Sequence, residues 1–286
     1  NENLPSSTSM TLTGGKIWGE VSEGFLSTLK NNLTAGGKTY RPVSLWVNWP
    51  VTDNSKQHLI LGGGEKFLHP NVDPSLLSGI MLNPMQQSEP SKIALFAGAQ
   101  YTWKQWKSEE EAKKLNDIAF NFVENGHFED SKVSAAFREL GKHMINQNMD
   151  GRVVKLEESV ELAPKLTDFM TKLKAGQDVT AERATLRAEF AKIKEAAELY
   201  KASGDKKMVA QIHYWLDNAI DQMNALDAFL TGTEAMATND AAKLWDSYYK
   251  GLKLYEQSQT HTFHYVDHLE KAELGVQHIR PFILAL

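Results

Sequence analysis

The chain has 286 residues, enough for one large domain or two of ordinary size. A formal net charge of −5, with no Lys/Arg block, excludes the electrostatic footprint of a nucleic-acid binder. Cysteine is absent, which removes disulfides, thiolate metal sites and cysteine nucleophiles together. No apolar run approaches the ~20 residues that a membrane-spanning helix needs, so no membrane partner is expected. The opening NENLPSSTSM lacks the charged-then-apolar pattern of a signal peptide. Either no signal existed, or the chain starts inside a longer one.

Residues 1–106 hold most of the glycines and prolines, set between short apolar runs. SMTLT (9–13) reads as a strand ending at Gly14-Gly15, and SEGFLSTLKNN (22–32) as a helix with Ser22 placed to cap it. PVSLWVNW (42–49) reads as a strand apolar on both faces. A loop with a short helix follows, then the strand GIMLNP (79–84). EPSKIALFAGAQYTW (89–103) is a helix with Pro90 in its first turn. Strand–helix alternation implies a parallel sheet with helices packed outside it.

From about Ser108 the pattern changes: proline nearly vanishes and the period becomes helical. The spacing predicts helices near 108–125, 129–147, 157–175, 180–203, 205–230, 234–258 and 259–280. Ser108 and Glu111 form a capping-box signature, and Gly126, Gly176, Gly204 and Gly232 fit helix C-termini. Aromatics such as Phe190, Trp215, Phe229, Trp245, Tyr248 and Phe263 recur at bundle-core spacing, so packing is the first explanation for them. The expected class is α/β plus all-α, with an α/β portion over 1–106 and a helical bundle over 107–286.

In a parallel α/β sheet, ligands bind beyond the C-terminal ends of the strands. Three such ends exist here: Thr13-Gly14-Gly15, the run LWVNWPVTDN with Asn48 and Asp53, and GIMLNPMQQ with Asn83. Two amides and a carboxylate on one rim, with Trp46 nearby, suit a sugar. Hydroxyls want amide donors and carboxylate acceptors, and the ring's apolar face wants an indole. The bland alternative is that Asn48 and Asn83 satisfy backbone groups at strand ends, as Asn often does.

These motifs, WVNWPVTDN followed by GIMLNPMQQSEPSKIALFAGAQYTW, closely resemble glycoside hydrolase family 84, the β-N-acetylglucosaminidases that include bacterial hyaluronidase-like toxins and O-GlcNAcases. The family pattern is W-x-N-[YW]-P-V-T-D, then N-P-M, E-x-S-K and a (D/Q)-Y-[TS]-W helix. Trp46, Asn48, Asp53, Asn83, Met85, Glu89, Ser91, Lys92, Tyr101 and Trp103 carry it in order. The resemblance implies a (β/α)8 (TIM) barrel followed by a helical domain. It also implies substrate-assisted retaining hydrolysis of terminal β-linked GlcNAc through an oxazoline, an exception to the two-carboxylate scheme. It assigns substrate binding to Trp46, Asn48, Asp53 and Asn83, with Asp53 on the sugar's O4 and O6. No cofactor and no metal are implied, and the partner is a GlcNAc-containing glycan or glycoprotein. A bacterial protein that is secreted or held at the cell surface is expected from the same relatives.

The family's adjacent aspartate pair, which does the proton work, has no counterpart, because no Asp-Asp dipeptide occurs in the 286 residues. Three β/α units precede the helices where a barrel needs eight. The chain therefore resembles the last three units of the barrel plus the helical domain. The catalytic pair is expected upstream, in an N-terminal part of the barrel that is itself a required partner. The other class of reading is a non-catalytic helical binding or adhesion module with a degenerate barrel remnant. His261, His264 and His268 could share one helix face and suggest a metal, yet no HExxH-like carboxylate motif accompanies them. Gly62-Gly63-Gly64 lacks the GK[ST] ending of a phosphate loop.

Overall fold

A computed structural model of the chain describes residues 4–53, 57–145 and 156–286. The protein is mostly helical around a small parallel sheet. Strands β1 (Thr11–Leu12), β2 (Val43–Pro50) and β3 (Leu77–Asn83) lie side by side in that order, all parallel. Helix α1 (Glu23–Thr34) links β1 to β2, the short α2 (Gly64–Phe67) lies between β2 and β3, and α3 (Ser88–Trp103) follows β3.

The strand expected to be apolar on both faces has only one buried face. Val43, Leu45, Val47 and Trp49 are buried, whereas Ser44, Trp46 and Asn48 alternate with them on a more open face. The apolar character of Trp46, set among Leu45, Val47 and Trp49, made both faces read as apolar and obscured this period of two. The buried face is held by Trp49, whose indole N–H donates to Gly62 O at 3.0 Å and whose ring stacks on Phe67. A Cβ on Gly64 would stand 2.8 Å from the Trp49 ring, so glycine is what lets α2 approach.

The helical part runs α4 (Glu109–Asn125), α5 (Lys132–Gly141), α6 (Ala163–Lys174), α7 (Thr180–Ser203), α8 (Lys206–Ala237) and α9 (Ala241–Ser258). Ser108 caps α4 through the Glu111 N–H, while Glu111 reaches back to the Lys107 N–H, one residue before the cap. The end of the helix expected over 129–147 lies partly outside the described residues. Gly126 ends α4 in the left-handed region at φ 74°, as its position predicts. Gly232 does not end a helix. It sits inside the 32-residue α8, facing Leu244 and Ser247 of α9, so its role is close helix packing.

The helix expected over 259–280 is absent. Residues there form an antiparallel hairpin, β4 (Thr262–Tyr265) and β5 (His268–Lys271), before a short α10 (Ile279–Ala285). The run T-F-H-Y alternates buried Phe263 with exposed His264, a period of two that the histidine spacing masked. His261, His264 and His268 consequently share no helix face, which removes the geometric basis for a metal site on them.

Next to the hairpin base, His58 is buried and its pKa is lowered to about 4. Burial is the main cause; a hydrogen bond with the Glu273 backbone opposes it, and the Arg280 charge adds to it. Between that value and the unfolded value near 6.5, the unfolded chain binds more protons than the native one. The stability that neutral His58 supports is therefore complete above about pH 6.5 and is lost as pH falls towards 4, by about 2 kcal/mol at pH 5. His58→Gln should flatten this part of the profile. Thermal melts of both proteins at pH 7 and pH 5 check it, and parallel Tm losses in the two would show that other groups carry the effect.

Candidate functional site

Three chain segments meet at the C-terminal ends of the strands. The loop after β1 supplies the Ile17 carbonyl, β2 supplies Trp46 and Asn48, and β3 ends in Asn83. Asn48 stands at the centre. Its Oδ1 accepts from the Trp46 indole N–H at 2.6 Å and from Asn83 Nδ2 at 3.0 Å, and its own Nδ2 donates to Ile17 O at 2.6 Å. The β1 loop turns tightly enough to reach it because Gly14 passes within 2.4 Å (from its would-be Cβ) of Glu20 O and Gly15 adopts φ 84°. Trp46 is 41% exposed and Met81, its register partner on β3, is 40% exposed. An indole face and a thioether side chain thus lie open beside two amides.

The bond network fixes the amide orientations. With Oδ1 of Asn48 receiving two donors, the Trp46 ring is held against rotation and Asn83 presents its remaining oxygen. The arrangement offers an apolar ring face flanked by hydrogen-bonding groups, the complement of a pyranose.

Asp53 is placed differently. It lies on the exposed turn after Pro50, close to Tyr265 of β4. Burial first, and then the carboxylates of Asp53 and Glu270, push the Tyr265 hydroxyl above its ordinary pKa. The remaining motif residues mostly build the frame. Ser91 Oγ receives the Met85 N–H at 3.1 Å and donates to Gln87 O at 2.7 Å, fixing the turn after Asn83. Glu89 and Lys92 pair on α3, and the buried Tyr101 donates its hydroxyl to His69 O at 2.8 Å. Trp103 is 92% exposed.

The rim loops are also stitched to the helical part. Gln57 O, beyond Asp53, receives the Trp215 indole N–H at 2.8 Å and the Glu273 N–H at 3.0 Å. Gln86 Nε2, beyond Asn83, donates to His264 O at 2.7 Å. Sequence reasoning missed Gln57, Gln86 and Tyr265, because each acts through a contact between segments more than 150 residues apart; the only sequence signal was the short alternation at 262–265.

Comparison with known proteins agrees in both parts of the chain. Residues 1–142 match a β-N-acetylglucosaminidase family model, and residues 161–262 match a hyaluronidase post-catalytic domain-like model. The solved structure of CpGH84D is similar over 99% of this chain and 45% of its own, with 25% identity and a TM-score of 0.86. CpGH84B (22% identity, TM-score 0.76, covering 99% of this chain and 45% of its own) shares the fold. So does an O-GlcNAc hydrolase mutant from Thermobaculum terrenum (19% identity, TM-score 0.74, 99% and 55%). The chain spans about half the length of the solved structures it matches. With two successive family models matched in order, and 99% of the chain following part of the CpGH84D fold, the chain belongs to the β-N-acetylglucosaminidase-like proteins of glycoside hydrolase family 84.

Proposed function

We propose that the chain is part of a retaining exo-β-N-acetylglucosaminidase that removes terminal β-linked GlcNAc from glycans or glycoproteins by substrate-assisted hydrolysis. Residues 1–106 are the last three β/α units of a (β/α)8 barrel, and residues 107–286 the helical domain behind it. The observation that carries the reading is the bonded set Trp46, Asn48 and Asn83 at the C-terminal ends of parallel strands, the end at which barrel enzymes bind substrate. The Trp46 face takes the apolar side of the sugar near its acetamide. Asn48 holds the indole, Asn83 offers its amide, and Asp53 accepts from O4–H and O6–H.

In this reading the acetamide oxygen of the substrate attacks the anomeric carbon, the leaving oxygen takes a proton, and water opens the oxazoline with net retention. The residues of this chain bind and orient. The proton is moved by an aspartate pair carried by the upstream barrel units, and the protein acts outside the cell, secreted or on the surface. The outer edges of β1 and β3, the two ends of the sheet order among the described residues, are where those units pair.

The test compares residues 1–286 alone with the full product of the reading frame that encodes them, on 4-nitrophenyl β-GlcNAc. The longer protein should turn over and the 286-residue chain should not, since a missing general acid/base alone removes about 10²–10⁴-fold. Turnover by residues 1–286 alone would place the catalytic groups within this chain. A second reading, a non-catalytic binding module, draws on the exposed Trp245, Tyr248 and Tyr249 of α9. Glycan binding by the longer protein without any turnover would favour it.

A further inference from the structure

The β4–β5 hairpin emerges from the helical part yet stands at the sugar rim. Its base is held from several sides. Buried Asn218 of α8 donates to Ser258 O before the hairpin at 2.9 Å and accepts the Leu274 N–H after it at 3.0 Å. His261 meets the Asp221 carboxylate at 2.8 Å, and Ala272 N donates to His261 O at 2.9 Å. Phe263 is buried against Trp215 with ring centroids 4.6 Å apart. A strand pair this short is marginal alone, so these anchors are what give it a fixed position.

From that base the hairpin is tied to both rim loops. The loop carrying Asp53 is bonded at Gln57 to Trp215 and Glu273, and the loop after Asn83 is bonded at Gln86 to His264. Tyr265, next in the strand to His264, is half-buried, packed on His268 and near enough to Asp53 to feel its charge. The His268 ring nitrogens meet the carboxylates of Asp267 and Glu270 at 2.9 and 3.1 Å, bracing the turn. At the tip Val266 is 82% exposed and holds φ 53°, a left-handed conformation that a β-branched residue adopts only under constraint. Strain kept in an exposed apolar tip beside a site points to a use for that tip.

We propose that the hairpin is the end wall of the sugar site. It stands on the Asp53 side and occupies the space that a further residue linked to O4 of the bound GlcNAc would need. The enzyme is thereby confined to chain ends. The inference rests on the proposed function, in which Asp53 grips O4 and O6, and adds the element that makes the pocket blind. Tyr265 and Val266 are the residues that meet an O4 substituent; Phe263, Asn218 and Gln86 are positioning residues.

The experiment uses the full product of the reading frame and three substrates: 4-nitrophenyl β-GlcNAc, its 4-O-methyl ether and the 4-O-galactosyl disaccharide. The readout is the ratio of kcat/KM for each substituted substrate to that of the parent glycoside. In the unmodified protein the penalty should grow with substituent size. Replacing the four residues 265–268 by Asn-Gly keeps the strand register with a two-residue turn. That variant should shrink the galactosyl penalty roughly 10-fold or more, with Tyr265→Ala giving a smaller relief in the same direction. Tyr265→Ala leaves the backbone intact and decides the matter should the shortened protein not fold. A methyl-sized loss of the O4–H donor remains in every variant, so only the dependence on size reports the wall. If the unmodified protein does not hydrolyse 4-nitrophenyl β-GlcNAc, the proposed function falls and the wall with it. If it does, and both variants keep the full galactosyl penalty, the wall alone is overturned.

Discussion

Asp53→Ala lowers kcat/KM for terminal β-GlcNAc at least ~100-fold in the full-length enzyme proposed above, the largest effect expected of any single rim substitution. A charged acceptor contributes roughly 1.5–3 kcal/mol per hydrogen bond, and Asp53 is assigned two sugar hydroxyls. Removing it leaves both hydroxyls short of an acceptor in a closed pocket, which adds a desolvation cost. At about 1.4 kcal/mol per decade, even the lower end of this range gives two orders of magnitude. Asn83→Ala should cost less, about 10-fold, because a neutral amide makes the weaker bond. Its loss also removes one of the two donors that fix Asn48 Oδ1. Asp53 is exposed on a turn, so Asp53→Ala should change the melt by no more than the ~0.5 kcal/mol usual for surface positions. Steady-state kinetics beside a thermal melt separate the two effects. Near-normal kcat/KM in the Asp53→Ala enzyme would reduce Asp53 to a turn residue.

The positions of these residues relative to the strands were legible in the sequence because each sits within a short, ordered motif. Asn48 lies near the end of β2, Asp53 on the turn three residues beyond that strand, and Asn83 at the end of β3. The helical grammar of the second part also carried over, since caps such as Ser108 and Gly126 are local events that three or four residues determine. What could not be read was whatever depends on a distant partner. Trp46 makes β2 read as apolar on both faces, yet its position leaves it half open while Val47 beside it is buried. Gly232 looks like a stop, yet the close approach of α9 makes it a packing glycine in mid-helix. The hairpin escaped notice for two reasons. Its strands have four residues each, and its polar side chains fall at spacings of three and four that imitate a helix face. Its stability comes from Asn218, Trp215 and Gln86, all remote in sequence.

Trp215→Ala should destabilise the protein by about 3–5 kcal/mol, the range for truncating a fully buried large aromatic. Trp215 is more than core. Its ring supports Phe263 at the root of the hairpin, and its N–H holds Gln57 O in the loop that follows Asp53. Removing the ring therefore loosens the seam between rim and helical part at two points at once. For a chain of this size a loss of that order lowers Tm by roughly 10 °C. Trp215→Phe separates the two contributions. It keeps most of the volume under Phe263 but drops the donor, and Gln57 O still receives the Glu273 N–H, so no buried acceptor is stranded. Its cost should be near 1 kcal/mol, the net value of one hydrogen bond. In the full-length enzyme, Trp215→Phe should raise KM more than it lowers kcat, because the loop carrying Asp53 is less well held while the reacting groups are untouched. Melts of both variants, with kinetics for Trp215→Phe, provide the check. A Trp215→Ala protein that melts within a degree or two of the parent would mean that the hairpin and the Asp53 loop keep their places without this seam.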